Sequence, residues 1–193
     1  MNILYLHGFK SSPLSLKGQQ LSDYCQKNTM HHVECPDLNL APKDVITQLS
    51  AWIEAHSDVV LVGSSLGGFY ATQLVAKYAI PAVLINPAMR PWELFGRLFS
   101  AEQLPYQVTP TWQLSQAHLD DLATLAVTTV ACPEKVLVLL QQRDEILDYR
   151  EAQGYYSQPE HCAMIMTETQ GDHAMQNFAE KIPMLLEFLQ HSI

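Results

Sequence analysis

The sequence predicts an α/β protein built on a mostly parallel, doubly wound sheet. Three observations lead there. Short apolar runs rich in Val, Ile, Leu and Met alternate with segments of helical period. The runs are apolar throughout rather than alternating, as strands covered on both faces are. One of them, Asp-Val-Val-Leu-Val-Gly-Ser-Ser-Leu-Gly-Gly at 58–68, passes directly into a helix-compatible stretch that reaches Ala79.

Each element has its own signal. Strands are expected at 2–7, 31–35, 58–63, 82–86, 135–141 and 161–167. A weak helix at 14–28 follows the first strand. Residues 43–56 carry the stripe Val45, Ile46, Leu49, Trp52 and Ile53, with Pro42 near the first turn. Residues 66–78 are apolar nearly all round, which predicts a central buried helix. Asp148 followed by Glu151 matches a capping box opening a helix to Tyr156. Pro183 suits the first turn of a last helix ending near His191.

Residues 88–133 break the rhythm. They are too long for one crossover and hold Trp92, Leu94, Phe95, Leu98, Phe99, Tyr106 and Trp112. Two or three short helices are expected there, acting either as a lid over an apolar pocket or as a packed cover for the sheet.

The 193 residues suit a single domain, 1–193, carrying that insertion. Hydrophobic residues make up 48% and charged residues 16%, which excludes a disordered chain. A formal net charge of −9 disfavours nucleic acid and anionic membrane as partners. Cys25, Cys35, Cys132 and Cys162 form no Cys-x-x-Cys pair and read as buried free thiols. With no signal peptide and no apolar run of the ~20 residues a membrane span needs, a cytoplasmic setting is expected.

Chemistry enters at 63–67. Gly63-Ser64-Ser65-Leu66-Gly67 is a Gly-x-Ser-x-Gly frame at a strand-to-helix turn, the sequence form of a nucleophile elbow. Only Ser65 fits it, because Val62 and Leu66 stand where a frame centred on Ser64 would need glycine. Bulk at Gly63 or Gly67 would clash in so sharp a turn. The same composition could serve a bare nucleotide-binding turn, but neither a phosphate-loop Lys nor a Gly-x-Gly-x-x-Gly fingerprint is present.

A serine hydroxyl needs a base, and the base an orienting acid, in chain order Ser, Asp/Glu, His. Asp144 follows the 135–141 strand, where functional groups of open α/β sheets gather. Glu145 is the competing carboxylate, whereas Asp148 has a capping role. His173 lies in Thr-Gln-Gly-Asp-His-Ala after the last strand, where the base belongs, with Asp172 as a turn residue. His191 sits at a helix end and His118 in the insertion. His31, His32, His56 and His161 flank elements and are expected near the surface. The oxyanion of an acyl-transfer intermediate needs two N–H donors. Leu66 and Phe9 are the expected sources, with Gly8 allowing close approach and His7 shaping the loop. No metal-ligand spacing is completed around His7.

Five motifs, Leu-Tyr-Leu-His-Gly-Phe-x-Ser-Ser-Pro at 4–13, Val-Gly-Ser-Ser-Leu-Gly-Gly-Phe-Tyr-Ala-Thr at 62–72, Ile-Asn-Pro-Ala-Met-Arg-Pro at 85–91, Asp-Glu-Ile-Leu-Asp-Tyr-Arg at 144–150 and Gly-Asp-His-Ala at 171–174, resemble the YqiA-like esterases, small bacterial α/β-hydrolases. The resemblance spans nearly the whole chain. It implies an α/β-hydrolase fold, esterase activity, and catalytic roles for Ser65, Asp144 and His173. One departure stands out: Gln141 occupies the place of a Gly common before the acid in the wider group. The expected function is a cofactor-free serine esterase acting on a small-molecule ester, with an acyl-CoA or other thioester as the alternative substrate. A strongly anionic leaving group would require Lys10, Arg90 or Arg97 at the entrance. A non-catalytic hydrolase-fold binding protein is the competing class.

Overall fold

A computed structural model describes residues 1–193, the side chain of Ala101 excepted. In chain order the strands are β1 (Asn2–Leu6), β2 (His32–Glu34), β3 (Val59–Ser64), β4 (Ala82–Ile85), β5 (Tyr106–Thr109), β6 (Trp112–Leu114), β7 (Val136–Gln141) and β8 (Met164–Glu168). The α-helices are α1 (Leu16–Asn28), α2 (Pro42–Ala55), α3 (Leu66–Tyr78), α4 (Pro91–Leu98), α5 (Gln116–Leu125), α6 (Tyr149–Tyr156) and α7 (Phe178–His191). Six strands form one sheet in the order β2-β1-β3-β4-β7-β8, and each adjacent pair is parallel.

Strand alternation divides the core into two layers. Leu4, Leu6, Leu61, Leu84 and Val138 point to one face, packing with Val45 and Leu49 of α2 and with Phe69 and Leu74 of α3. Ile3, Tyr5, Val60, Val62, Val83 and Leu137 point to the other, against Leu21 of α1 and Phe178, Ile182 and Leu185 of α7. Covering both faces explains why the strands read as unbroken apolar runs. Ten residues of α3, Leu66 through Val75, are buried, as its all-round apolar sequence requires.

Several expectations are corrected. The 88–133 segment holds α4 and α5 but also an antiparallel hairpin, β5–β6, in place of a purely helical excursion. Its strands are four and three residues long, too short for an alternation to register. Helix α7 starts at Phe178, so Pro183 lies inside it. The buried stripe Phe178, Ile182, Leu185, Leu186, Leu189 outweighs the one hydrogen bond that Pro183 forfeits. Asp148 does cap α6, accepting from the Arg150 N–H, but Glu151 turns to Arg90 instead of closing a capping box. The last strand starts at Met164, because Pro159–His161 form a 3-10 turn. His161 is buried there, stacked on Tyr155 at 4.2 Å, rather than near the surface. Of the four cysteines, all free, only Cys25 is buried. Among the described residues, no helix is long and apolar enough to cross a membrane.

Candidate active site

The carboxyl ends of β1, β3, β7 and β8 lie on one edge of the sheet, and the loops leaving them carry Phe9, Ser65, Asp144 and His173. Ser65 has φ 55° and ψ −118°, a strained conformation for a residue with a side chain. The turn is held from several sides. The Ser65 N–H donates to Ile85 O, and its carbonyl accepts from the N–H groups of Phe69 and Ala88. A Cβ on Gly63 would stand 2.5 Å from Gly67 O, and one on Gly67 would fall on Leu6 O. The two glycines therefore let β3, α3 and β1 meet behind the serine. Ser64 is the buried last residue of β3, through which the chain passes into the turn.

His173 Nδ1 lies 2.7 Å from Asp144 Oδ2. The Asp144 side chain is buried, and its Oδ1 accepts from the N–H groups of Ile146 and Leu147 at 2.8 Å each. Glu145, the competing carboxylate, accepts from the His173 backbone N–H at 3.0 Å and leaves the ring alone. Ser65 and His173 line one cleft of about 250 Å³ without being hydrogen-bonded to each other. Loose contacts between such groups are common before substrate binds.

Asn86, quoted above only as part of a motif, joins three strand ends. Its Oδ1 accepts from the Gln141 N–H, and its Nδ2 donates to the carbonyls of Asp172 and His173. Gln141 is fully buried and donates to Glu168 Oε2 at 2.6 Å. Gly171 sits over it with φ 102°, where a Cβ would collide with the Gln141 side-chain oxygen. A glutamine in place of the common glycine is thus accommodated by a glycine in the loop bearing His173.

The loop after β1 is clamped between His7 and the insertion. His7 Nε2 accepts from the Leu38 N–H at 3.1 Å, which puts the ring proton on Nδ1, 2.9 Å from Gly8 O as its donor. A ring accepting at Nε2 is neutral, although the Asp37 carboxylate stands 3.8 Å away. Gly8 brings the loop against the serine: a Cβ there would stand 3.2 Å from Ser65 Cβ. The Phe9 ring packs on Phe95 at 4.5 Å and Phe99 at 6.2 Å, and Phe99 packs on Tyr106 at 4.4 Å. Neither Phe9 nor Leu66 donates its backbone N–H to an acceptor among the described residues.

Burial pushes the pKa of His7 below its ordinary 6.5. The unfolded chain then binds the proton more readily, so stability is lost as pH falls below about 6.5. The carboxylate Glu168, held low chiefly by Lys181, contributes only in a more acidic window. A urea midpoint that falls from about pH 7 to about pH 5 is expected, with a shallower fall in His7→Asn; equal slopes would show that His7 carries none of it.

The three cations that a strongly anionic leaving group would require do not line the serine cleft. Lys10 is over the Tyr106 ring at 4.6 Å, and Arg90 pairs with Glu93 and Glu151 beside a second cavity of about 510 Å³. Arg97, in the last turn of α4, does not line the serine cleft. Among the described residues, no group of three or more His, Cys, Asp or Glu is placed to hold a metal ion.

The fold is that of the α/β-hydrolases. Alpha/beta hydrolase domain-containing protein 10 from mouse superposes with a TM-score of 0.76 at 17% identity, covering 98% of this chain and 90% of its own. Est1E from Butyrivibrio proteoclasticus gives a TM-score of 0.76 at 16% identity, covering 99% and 87%. A structure from the metagenome-derived lipolytic enzymes LipS and LipT gives 0.75 at 16% identity, covering 98% and 93%. At such identities the likeness concerns the fold alone. Sequence supplies the closer kinship: the model of the uncharacterised protein family UPF0227, the YqiA family whose motifs the chain resembles, matches residues 2–190, and the chain belongs to that family.

Proposed function

We propose that this chain is a serine hydrolase acting on carboxylic esters of small molecules. The observation that carries the reading is the 2.7 Å contact of His173, which lines the same cleft as the strained Ser65, with the buried Asp144 carboxylate. Ser65 Oγ attacks the acyl carbonyl as His173 Nε2 takes its proton. Asp144 fixes the imidazole tautomer and stabilises the imidazolium. The tetrahedral oxyanion accepts from the free N–H groups of Leu66 and Phe9. His173 then gives its proton to the departing alcohol. Water, deprotonated by the same imidazole, attacks the acyl-enzyme, and the acid leaves as Ser65 regains its proton. This chemistry uses no metal or organic cofactor, and a thioester would follow the same path.

Two further considerations favour the reading. Structures sharing the fold include named esterases and lipolytic enzymes, one of them Est1E with ferulic acid bound. The insertion, through Phe95 and Phe99, packs on the ring of Phe9 and so braces the loop whose Phe9 N–H serves the oxyanion.

A fluorophosphonate probe distinguishes this reading from a non-catalytic binding protein. The wild-type chain is expected to label covalently and stoichiometrically, and Ser65→Ala not at all. Equal labelling of both would remove Ser65 as nucleophile, and failure of the wild type to label would favour the binding protein.

A further inference from the structure

The serine cleft contains a cation with no anionic partner. Lys17, in the first turn of α1, lines the cleft with Ser65 and His173. Its Nζ donates to Ala174 O at 2.7 Å, immediately after His173. An ammonium has three N–H donors, and the other two meet no protein acceptor among the described residues. No carboxylate lies within 4.0 Å of it.

The nearby carboxylates are committed elsewhere. Asp144 gives its oxygens to His173, Ile146 and Leu147. Asp172 Oδ2 accepts from Gln176, and its Oδ1 is buried without a partner. Both attract Lys17 from a distance, but loss of water outweighs them and pushes its pKa down. A half-buried ammonium short of counter-charge in a cleft is stabilised by an incoming anion.

We propose that Lys17 is a specificity residue that binds an oxyanion of the substrate, a carboxylate or phosphate close to the scissile bond. The preferred substrates are then anionic esters or thioesters. This inference rests on the esterase reading for the identity of the reacting bond, but not for the anion site itself.

Three esters locate the charge: p-nitrophenyl butyrate, mono-p-nitrophenyl glutarate with the carboxylate on the acyl side, and 4-carboxyphenyl butyrate with it on the leaving group. Lys17→Met is expected to lower kcat/KM for one of the anionic esters roughly tenfold to a hundredfold more than for the neutral ester. The ester affected identifies the side. Lys17→Arg is expected to recover most of the loss. Equal loss on all three esters would make Lys17 a support for the His173 loop and overturn the inference. Catalysis-independent binding separates the two readings. Ser65→Ala is expected to bind monomethyl glutarate by calorimetry, and the double variant Ser65→Ala, Lys17→Met to lose that binding. Binding retained in the double variant overturns the anion site. Binding that depends on Lys17, in a protein with no Ser65-dependent hydrolysis, keeps the site and overturns the esterase reading.

Discussion

Ser65→Ala is expected to reduce kcat for p-nitrophenyl butyrate by about 10⁶-fold, Asp144→Asn by about 10⁴-fold, and Glu145→Gln by about tenfold or less. The two adjacent carboxylates explain the spread. The Asp144 carboxylate is buried, with one oxygen on two backbone N–H groups and the other on the His173 ring. Asparagine there must turn its NH₂ either toward those backbone donors or toward the ring. Toward the ring it selects the tautomer with the proton on Nε2, which cannot accept from Ser65. Glu145 holds only the backbone N–H of His173, so its loss slackens the loop without changing the ring. Steady-state kinetics on the three variants decide the matter. A larger loss in Glu145→Gln than in Asp144→Asn would move the acid by one residue.

Gly67→Ala is expected to destabilise the fold by about 4 kcal/mol or more, enough to leave little soluble protein. The added methyl would fall on Leu6 O, with Leu6 C 2.5 Å away, and both are backbone atoms at the end of β1, which is paired on both sides in the sheet. No rotamer relieves that clash, so β1 and α3 must separate. Gly96 in α4 provides the control, since a Cβ there meets nothing within 4 Å. Gly96→Ala is expected to raise stability by about 0.5–1 kcal/mol through helix propensity alone. Urea denaturation of the two variants against wild type reads both effects. A Gly67→Ala protein within about 1 kcal/mol of wild type would mean that the elbow is far less tightly packed than these contacts require.

Much of the sheet was legible in the sequence because its strands are buried on both faces. Val59–Ser64 and Val136–Gln141 are buried throughout, and such runs have no surface pattern to blur them. Ser65 was legible because its turn demands glycines on both sides. What escaped depends on contacts between distant segments. Lys17 is an ordinary helix residue until Ala174, 157 positions later, folds over it. Asn86 gains its three partners only when β4 and β7 pair and the His173 loop returns. The start of α7 escapes because Pro183 reads locally as a helix opening, whereas the packing of Phe178 and Ile182 decides it. The burial of His161 escapes because no local sign tells that Tyr155 covers it.

The contact between Gln141 and Gly171 has a consequence for how this family diverges. One residue closes the strand that leads to Asp144, and the other opens the turn that leads to His173. A side chain at 171 would have to displace the buried Gln141 amide, and the positive φ of 171 disfavours one in any case. The two positions are therefore sterically coupled. Relatives that carry glutamine at 141 are expected to keep glycine at 171, whereas relatives with glycine at 141 escape the clash and retain only the backbone preference set by the positive φ; an alignment of the family checks that pairing across the 29 intervening residues.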